Sequence, residues 1–151
     1  MENHELNSLS PLDGRYAKKT EPLRAHFSEL AYIRSRVGVE IDYFISLSED
    51  LKLIRPLSNE ELNFLHTLKD TFSLENAHEV KAFEEKTRHD VKAIEYFLRA
   101  HFEKTSLDDL LEWLHFGLTS ADVNTTAIAL SLRDAQNLVL LPALDVLLDK
   151  L

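Results

Sequence analysis

Thr87-Arg88-His89-Asp90-Val91-Lys92-Ala93 decides how this chain is read. Before it, Val80 and Phe83 recur at helical spacing. After it, Val91, Ile94, Phe97, Leu98 and Phe102 form a stripe with a 3.6-residue period that ends near Lys104. The stretch is therefore a junction between two amphipathic helices, and five of its seven residues are polar. A guanidinium that can fork onto a carboxylate or phosphate stands beside an imidazole that can exchange a proton near neutral pH. The neighbouring carboxylate of Asp90 can cap the second helix or orient the histidine. Taken alone, the triplet also fits an ordinary N-cap at Asp90 with Arg88 and His89 as solvated loop residues.

Working outward, the helical signature dominates. Pro22 suits a first helical position, and Leu23, Phe27, Leu30, Val37, Ile41, Phe44 and Ile45 predict one long helix over about 22–47. Gly38 weakens that helix by about 1 kcal/mol relative to Ala. Residues 48–57 form a connector. Ser58-Asn59-Glu60-Glu61 is a capping box that opens a helix with Leu62, Leu65, Leu68 and Phe72 on one face. A further helix is expected over about 76–86. Ser106-Leu107-Asp108-Asp109 has the same box-like form, followed by Leu110, Leu111 and Leu114. In His115-Phe116-Gly117-Leu118-Thr119-Ser120-Ala121-Asp122, Gly117 can end one helix while Thr119 or Ser120 caps the next. That last helix carries Ile128, Leu132, Ala135, Val139 and Leu140, and Pro142 is expected to kink or break it. No strand or internal repeat is evident, so the expected class is all-α. The chain stops in mid-pattern at Asp149-Lys150-Leu151, which reads as a truncation.

Bulk properties narrow the function. The 151 residues carry a formal charge of −9, which argues against a nucleic-acid surface. An anionic small molecule would need a locally basic pocket. There is no cysteine, so disulfides and thiolate metal sites are excluded. The acidic start Met1-Glu2-Asn3-His4-Glu5 does not resemble a leader peptide, and no apolar run reaches membrane-spanning length. A cytoplasmic protein with no membrane partner is expected. His101 and His115 lack the Glu-x-x-His pairing of bundle metal sites, so no metal is expected.

Three polar clusters stand out: Arg15 and Tyr16 after the Ser10-Pro11-Leu12-Asp13-Gly14 turn, Arg88-His89-Asp90 at the junction, and Thr119-Ser120 at a helix start. Together they suit a polyanion. Arg15 and Arg88 bring charge, Tyr16 a hydroxyl and His89 proton chemistry. A helix N-terminus with two free hydroxyls is a ready anion site. Singly, Ser120 also fits a plain cap and Tyr16 a half-buried packing residue.

These three motifs, with Glu95-Tyr96 beside the second, closely resemble in order and spacing the N-terminal part of the adenylosuccinate lyases, a family of the aspartase/fumarase superfamily. The resemblance covers essentially the whole chain. It implies a helical N-terminal domain over 1–111 and, over 112–151, the start of a central bundle of long helices that assembles as a homotetramer. Each active site would draw on three subunits. It implies β-elimination of fumarate from adenylosuccinate, giving AMP, and from the succinyl-carboxamide imidazole ribotide of purine synthesis, with no cofactor. By the same resemblance, Arg15 and Tyr16 contact the nucleotide phosphate, and Arg88, His89 and Asp90 the succinyl and base moieties. His89 would stabilise developing charge or assist proton transfer. Thr119 and Ser120 would donate to a substrate carboxylate, while Lys92, His115 and Asp122 lie within the motifs without an assigned role. The family's base, a serine on a mobile loop, and its acid histidine come later than residue 151. The chain alone is therefore expected to be inactive, and its last apolar stripe to bury itself by self-association. The alternatives are a non-catalytic helical oligomerisation module, or another fumarate-releasing lyase of the superfamily.

Overall fold

The computed structural model describes residues 4–151; the opening residues Met1, Glu2 and Asn3, on which the leader-peptide reading partly rests, lie outside the described residues. Among the described residues every regular element is helical, in keeping with the all-α expectation. Short turns at His4–Asn7, Ala17–Thr20, Glu21–Leu23 and Arg24–Phe27 lead into helix α1, Glu29–Glu49. Then come α2 (Asn59–Asp70), α3 (Leu74–Thr87), α4 (Asp90–Phe102), a 3-10 segment (Asp108–Trp113) and α5 (Ser120–Ala135). A π-helical segment, Gln136–Leu140, joins α5 to α6, Leu141–Leu148. No helix among the described residues is long and apolar enough to cross a membrane.

The long helix starts seven residues later than Pro22 suggested. Ser28 is extended (φ −70°, ψ 162°), and its hydroxyl accepts the Ala31 amide, so the chain caps and restarts there. Phe27, counted in the apolar stripe, is half exposed as a result. Ser28→Ala should lower stability by about 1 kcal/mol in thermal melts, the usual value of an N-cap hydroxyl; no change would mean that tertiary packing alone sets this boundary.

Helix α1 is the spine. Ile33, Val37, Ile41, Phe44 and Leu47 fall on one face and are buried. Against them pack Leu65 and Leu68 of α2, Val80 of α3, and Ala93, Ile94, Phe97, Leu98 and Phe102 of α4. Phe102 meets Phe44 edge-on at 5.0 Å, and Phe97 meets Phe72 at 5.8 Å. The edge-to-face arrangement suits the ring quadrupoles. The predicted box at Ser58 is present: its hydroxyl accepts the Glu61 amide, and Glu61 accepts the Ser58 amide.

The second box does not form. Ser106 donates its hydroxyl to Glu61 and offers its carbonyl to Arg55, and the following residues make a 3-10 segment whose N-cap is Leu107. Pro142 does not break the last helix either. Its ring would collide with the carbonyl one turn back; the π segment just before it widens that turn, and the helix runs on. Leu138, Leu140, Leu141, Leu144, Val146, Leu147 and Leu148 are left largely exposed along this end.

Candidate functional site

Two of the three polar clusters come together. Arg88 closes α3 in the left-handed conformation (φ 54°), which turns the chain sharply. His89 is then extended, and it, not Asp90, caps α4: its Nδ1 accepts the Lys92 amide at 3.1 Å. Asp90 is the first helical residue. One of its oxygens accepts the Val91 amide at 2.8 Å, and the other forms an ion pair with Arg36 at 3.0 Å. The expected Asp90 cap is thus displaced because a buried guanidinium on α1 claims the carboxylate.

On the far side of the junction, Thr119 caps α5. Its amide and its hydroxyl both donate to Asp122, at 2.7 and 2.9 Å. These two bonds, the amide first, hold the Asp122 carboxyl below its usual range. The Thr119 hydroxyl is therefore not free, contrary to the two free hydroxyls expected here. Ser120 differs: its Oγ lies 3.4 Å from His89 Nε2. The N-terminal ends of α4 and α5 thus converge on one exposed spot, where the first-turn amides of Ser120 and Ala121 also end without helical partners.

Helix α1 ties these ends together with two charged residues that periodicity alone passed over. Arg36 is buried, lies 3.6 Å over the Tyr32 ring, and leaves its Nε without a partner. Tyr32 in turn donates its hydroxyl to Asn124 of α5 at 2.9 Å. One turn further, Glu40 is buried 2.5 Å from Nδ1 of His115. Burial pushes the Glu40 carboxyl up; His115 opposes that shift, and the nearby Glu95 adds to it. His115 itself takes a left-handed backbone (φ 57°), and Gly117 follows at φ 70°, so the turn into α5 folds back on α1. The signal for both residues was in the sequence: Arg36 and Glu40 lie three residues after Ile33 and Val37, on the apolar face of α1.

Other expected site residues are not gathered here. The Arg88 side chain is exposed beside Lys81, Glu84 and Glu85. Arg15 stacks on Tyr16 at 4.8 Å, and Lys19 approaches the same ring. Among the described residues, no hydrogen bond, ion pair or ring contact joins either Arg15 or Tyr16 to the junction. Lys92 reaches Glu95 at 2.7 Å. A groove of about 440 Å³ lies elsewhere, between Arg34, Gly38, Lys69 and Arg133. Its Lys69 and Arg133 are already paired with Asp42 and Asp134. The junction is the better candidate because unsatisfied donors and an imidazole meet there. Among the described residues, no group of three or more His, Cys, Asp or Glu side chains is placed to hold a metal ion.

The chain is 40% identical over 147 residues to an adenylosuccinate lyase of Dictyostelium discoideum, covering 93% of this chain and 31% of that protein. It is 39% identical over 146 residues to the adenylosuccinate lyase of Buchnera aphidicola subsp. Schizaphis graminum, covering 94% and 32%. Against the Haemophilus influenzae adenylosuccinate lyase it is 38% identical over 154 residues, covering 100% and 34%. The chain spans about a third of the length of these curated relatives. A family model described as "Lyase" matches residues 14–151, and this chain belongs to that lyase family.

Proposed function

We propose that this chain carries part of the composite active site of an adenylosuccinate lyase, a carbon–nitrogen lyase of purine and AMP biosynthesis. In the reaction, a base removes a proton from the carbon next to a succinyl carboxylate. The carbon–nitrogen bond then breaks, an acid protonates the departing nitrogen, and fumarate leaves. The substrates are adenylosuccinate, which yields AMP, and the succinyl-carboxamide imidazole ribotide. Arg88, His89, Asp90, Thr119 and Ser120 act at the succinyl and base end, and Arg15 and Tyr16 hold the phosphate. Base and acid come from chain beyond residue 151, and further site residues from neighbouring copies in a cytoplasmic homotetramer. Residues 1–111 form the N-terminal domain, and 112–151 begin the long-helix bundle. Exposed leucines along α6 support the assembly, since a contiguous apolar face in water favours a partner. The observation that carries the reading is the convergence of His89 Nε2 and Ser120 Oγ at 3.4 Å, at the N-terminal end of α5.

A chimera tests it, in which this chain replaces the matching third of the Haemophilus influenzae enzyme. It should cleave adenylosuccinate to AMP and fumarate and run as a tetramer in light scattering, whereas the 151-residue chain alone shows no turnover. A folded tetrameric chimera without activity would overturn the reading. Turnover by the chain alone would place the proton chemistry within these residues.

A further inference from the structure

The cap at the start of α4 dictates which nitrogen of His89 carries the proton. We infer that His89 serves as a neutral hydrogen-bond donor through Nε2, and not as a base or proton carrier; this deepens, and rests on, the lyase reading above. The argument begins with the Lys92 amide. It lies 3.1 Å from Nδ1 and can only donate, so Nδ1 must offer its lone pair. A proton at Nδ1 would set two donors against each other and expel the cap.

Among the described residues, the one carboxylate close enough to draw a proton to Nδ1 is engaged elsewhere. Asp90 Oδ1 lies 3.6 Å away, beyond hydrogen-bond range, and already accepts the Val91 amide at 2.8 Å. Its other oxygen is held at 3.0 Å by Arg36, whose buried guanidinium is fixed over Tyr32. With Nδ1 bare, the neutral ring carries its hydrogen on Nε2. That nitrogen lies toward Ser120 Oγ at the N-terminus of α5, and the ring is half exposed. The Nε2 hydrogen, the Ser120 hydroxyl and the amides of Ser120 and Ala121 thus form a group of donors, suited to a substrate oxygen that gains negative charge as the proton is removed. Arg36 is a positioning residue in this scheme: by occupying Asp90 it keeps the proton off Nδ1.

Two experiments test the inference. In the 151-residue chain labelled with ¹⁵N, a scalar coupling through the hydrogen bond should join the Lys92 amide nitrogen to Nδ1 at neutral pH. Absence of the coupling together with a protonated Nδ1 would overturn it. In the chimera, His89→Asn keeps a strong N-cap but is too short to reach Ser120, whereas His89→Gln caps poorly yet can extend an amide N–H to the place of Nε2. Activity and stability should therefore rank oppositely. The Gln variant should keep kcat within about 10-fold of the parent, while the Asn variant loses about 100-fold or more, the usual effect of removing one such donor. Thermal melts should favour Asn. Gln and Asn variants equally depleted in kcat would mean that His89 transfers a proton, and would sink the donor role. A parent chimera that folds without turnover overturns the lyase reading, and the donor's role with it, whereas the coupling alone decides the tautomer.

Discussion

Arg55→Ala should lower the unfolding free energy at neutral pH by about 3 kcal/mol, the low end of what breaking a buried ion pair costs. Arg55 leaves the connector after α1 and grips Glu61 with two bonds, at 2.8 and 3.0 Å. It also holds Asp109 with two bonds of 2.8 Å, and the Ser106 carbonyl at 3.0 Å. One side chain thus pins the α2 capping box to the 3-10 segment. Glu61 is only 4% exposed beneath Arg55, so removing the guanidinium leaves this carboxylate without its main partner. The Ser58 amide and the Ser106 hydroxyl remain as donors, which keeps the cost at the low end. The Arg55 bonds chiefly, then the donors from Ser58 and Ser106, hold the Glu61 carboxyl at about 2, against an ordinary 4.5. A carboxyl depressed in the folded state stabilises the fold above its unfolded value and loses that contribution as pH falls through its folded one. Wild-type stability should therefore decline between pH 4.5 and about 2, and the gap to Arg55→Ala should close over the same window. Arg55→Lys should recover less than half, because an ammonium lacks the planar fork. Urea titrations across this range measure both effects; a cost below about 1 kcal/mol at neutral pH would remove the clamp from the account.

The same cluster shows what the sequence could and could not disclose. Periodicity located every long helix, because each buries an apolar face against α1 and that face repeats in the sequence. Local chemistry was read correctly where the partner is local, as at Ser58 and Glu61. It was misread where a distant charge competes. Ser106 has the form of a cap, but Arg55, fifty-one residues earlier, claims its carbonyl. Asp90 has the form of a cap, but Arg36 claims it and His89 takes the role. Likewise, Ser28 was passed over because Leu23 and Phe27 continue the helical period across it, although Phe27 faces water. The polar clusters were legible as clusters. Their convergence was not, since the contact between His89 and Ser120 depends on the register of α4 and α5 along α1.

His115→Ala tests the other buried carboxylate, whose own affinity for a proton is shifted in the opposite direction. Glu40 is 1% exposed, and its near partner is the imidazole 2.5 Å away. The Lys92 ammonium is occupied by Glu95, which adds repulsion. Burial raises the Glu40 carboxyl above its ordinary 4.5, so the folded state holds this proton more tightly than the unfolded chain does. The contribution of such a group is fully present below the unfolded value and is lost as pH rises through the folded one. Without His115, ionised Glu40 is left in the core without its partner, and the variant should lose about 3 kcal/mol at neutral pH. The deficit should shrink as pH falls toward the carboxylate range, where Glu40 enters the fold neutral. Adding Glu40→Gln to His115→Ala should remove this pH dependence, leaving only the part due to packing and the left-handed backbone at residue 115. Urea denaturation at fixed protein concentration, needed because self-association would otherwise shift the midpoint, separates the two. A deficit that does not change with pH would mean that His115 matters only as a shape in the turn. A deficit that falls with acid would identify the Glu40–His115 pair as the electrostatic anchor of the turn that delivers Ser120 to His89.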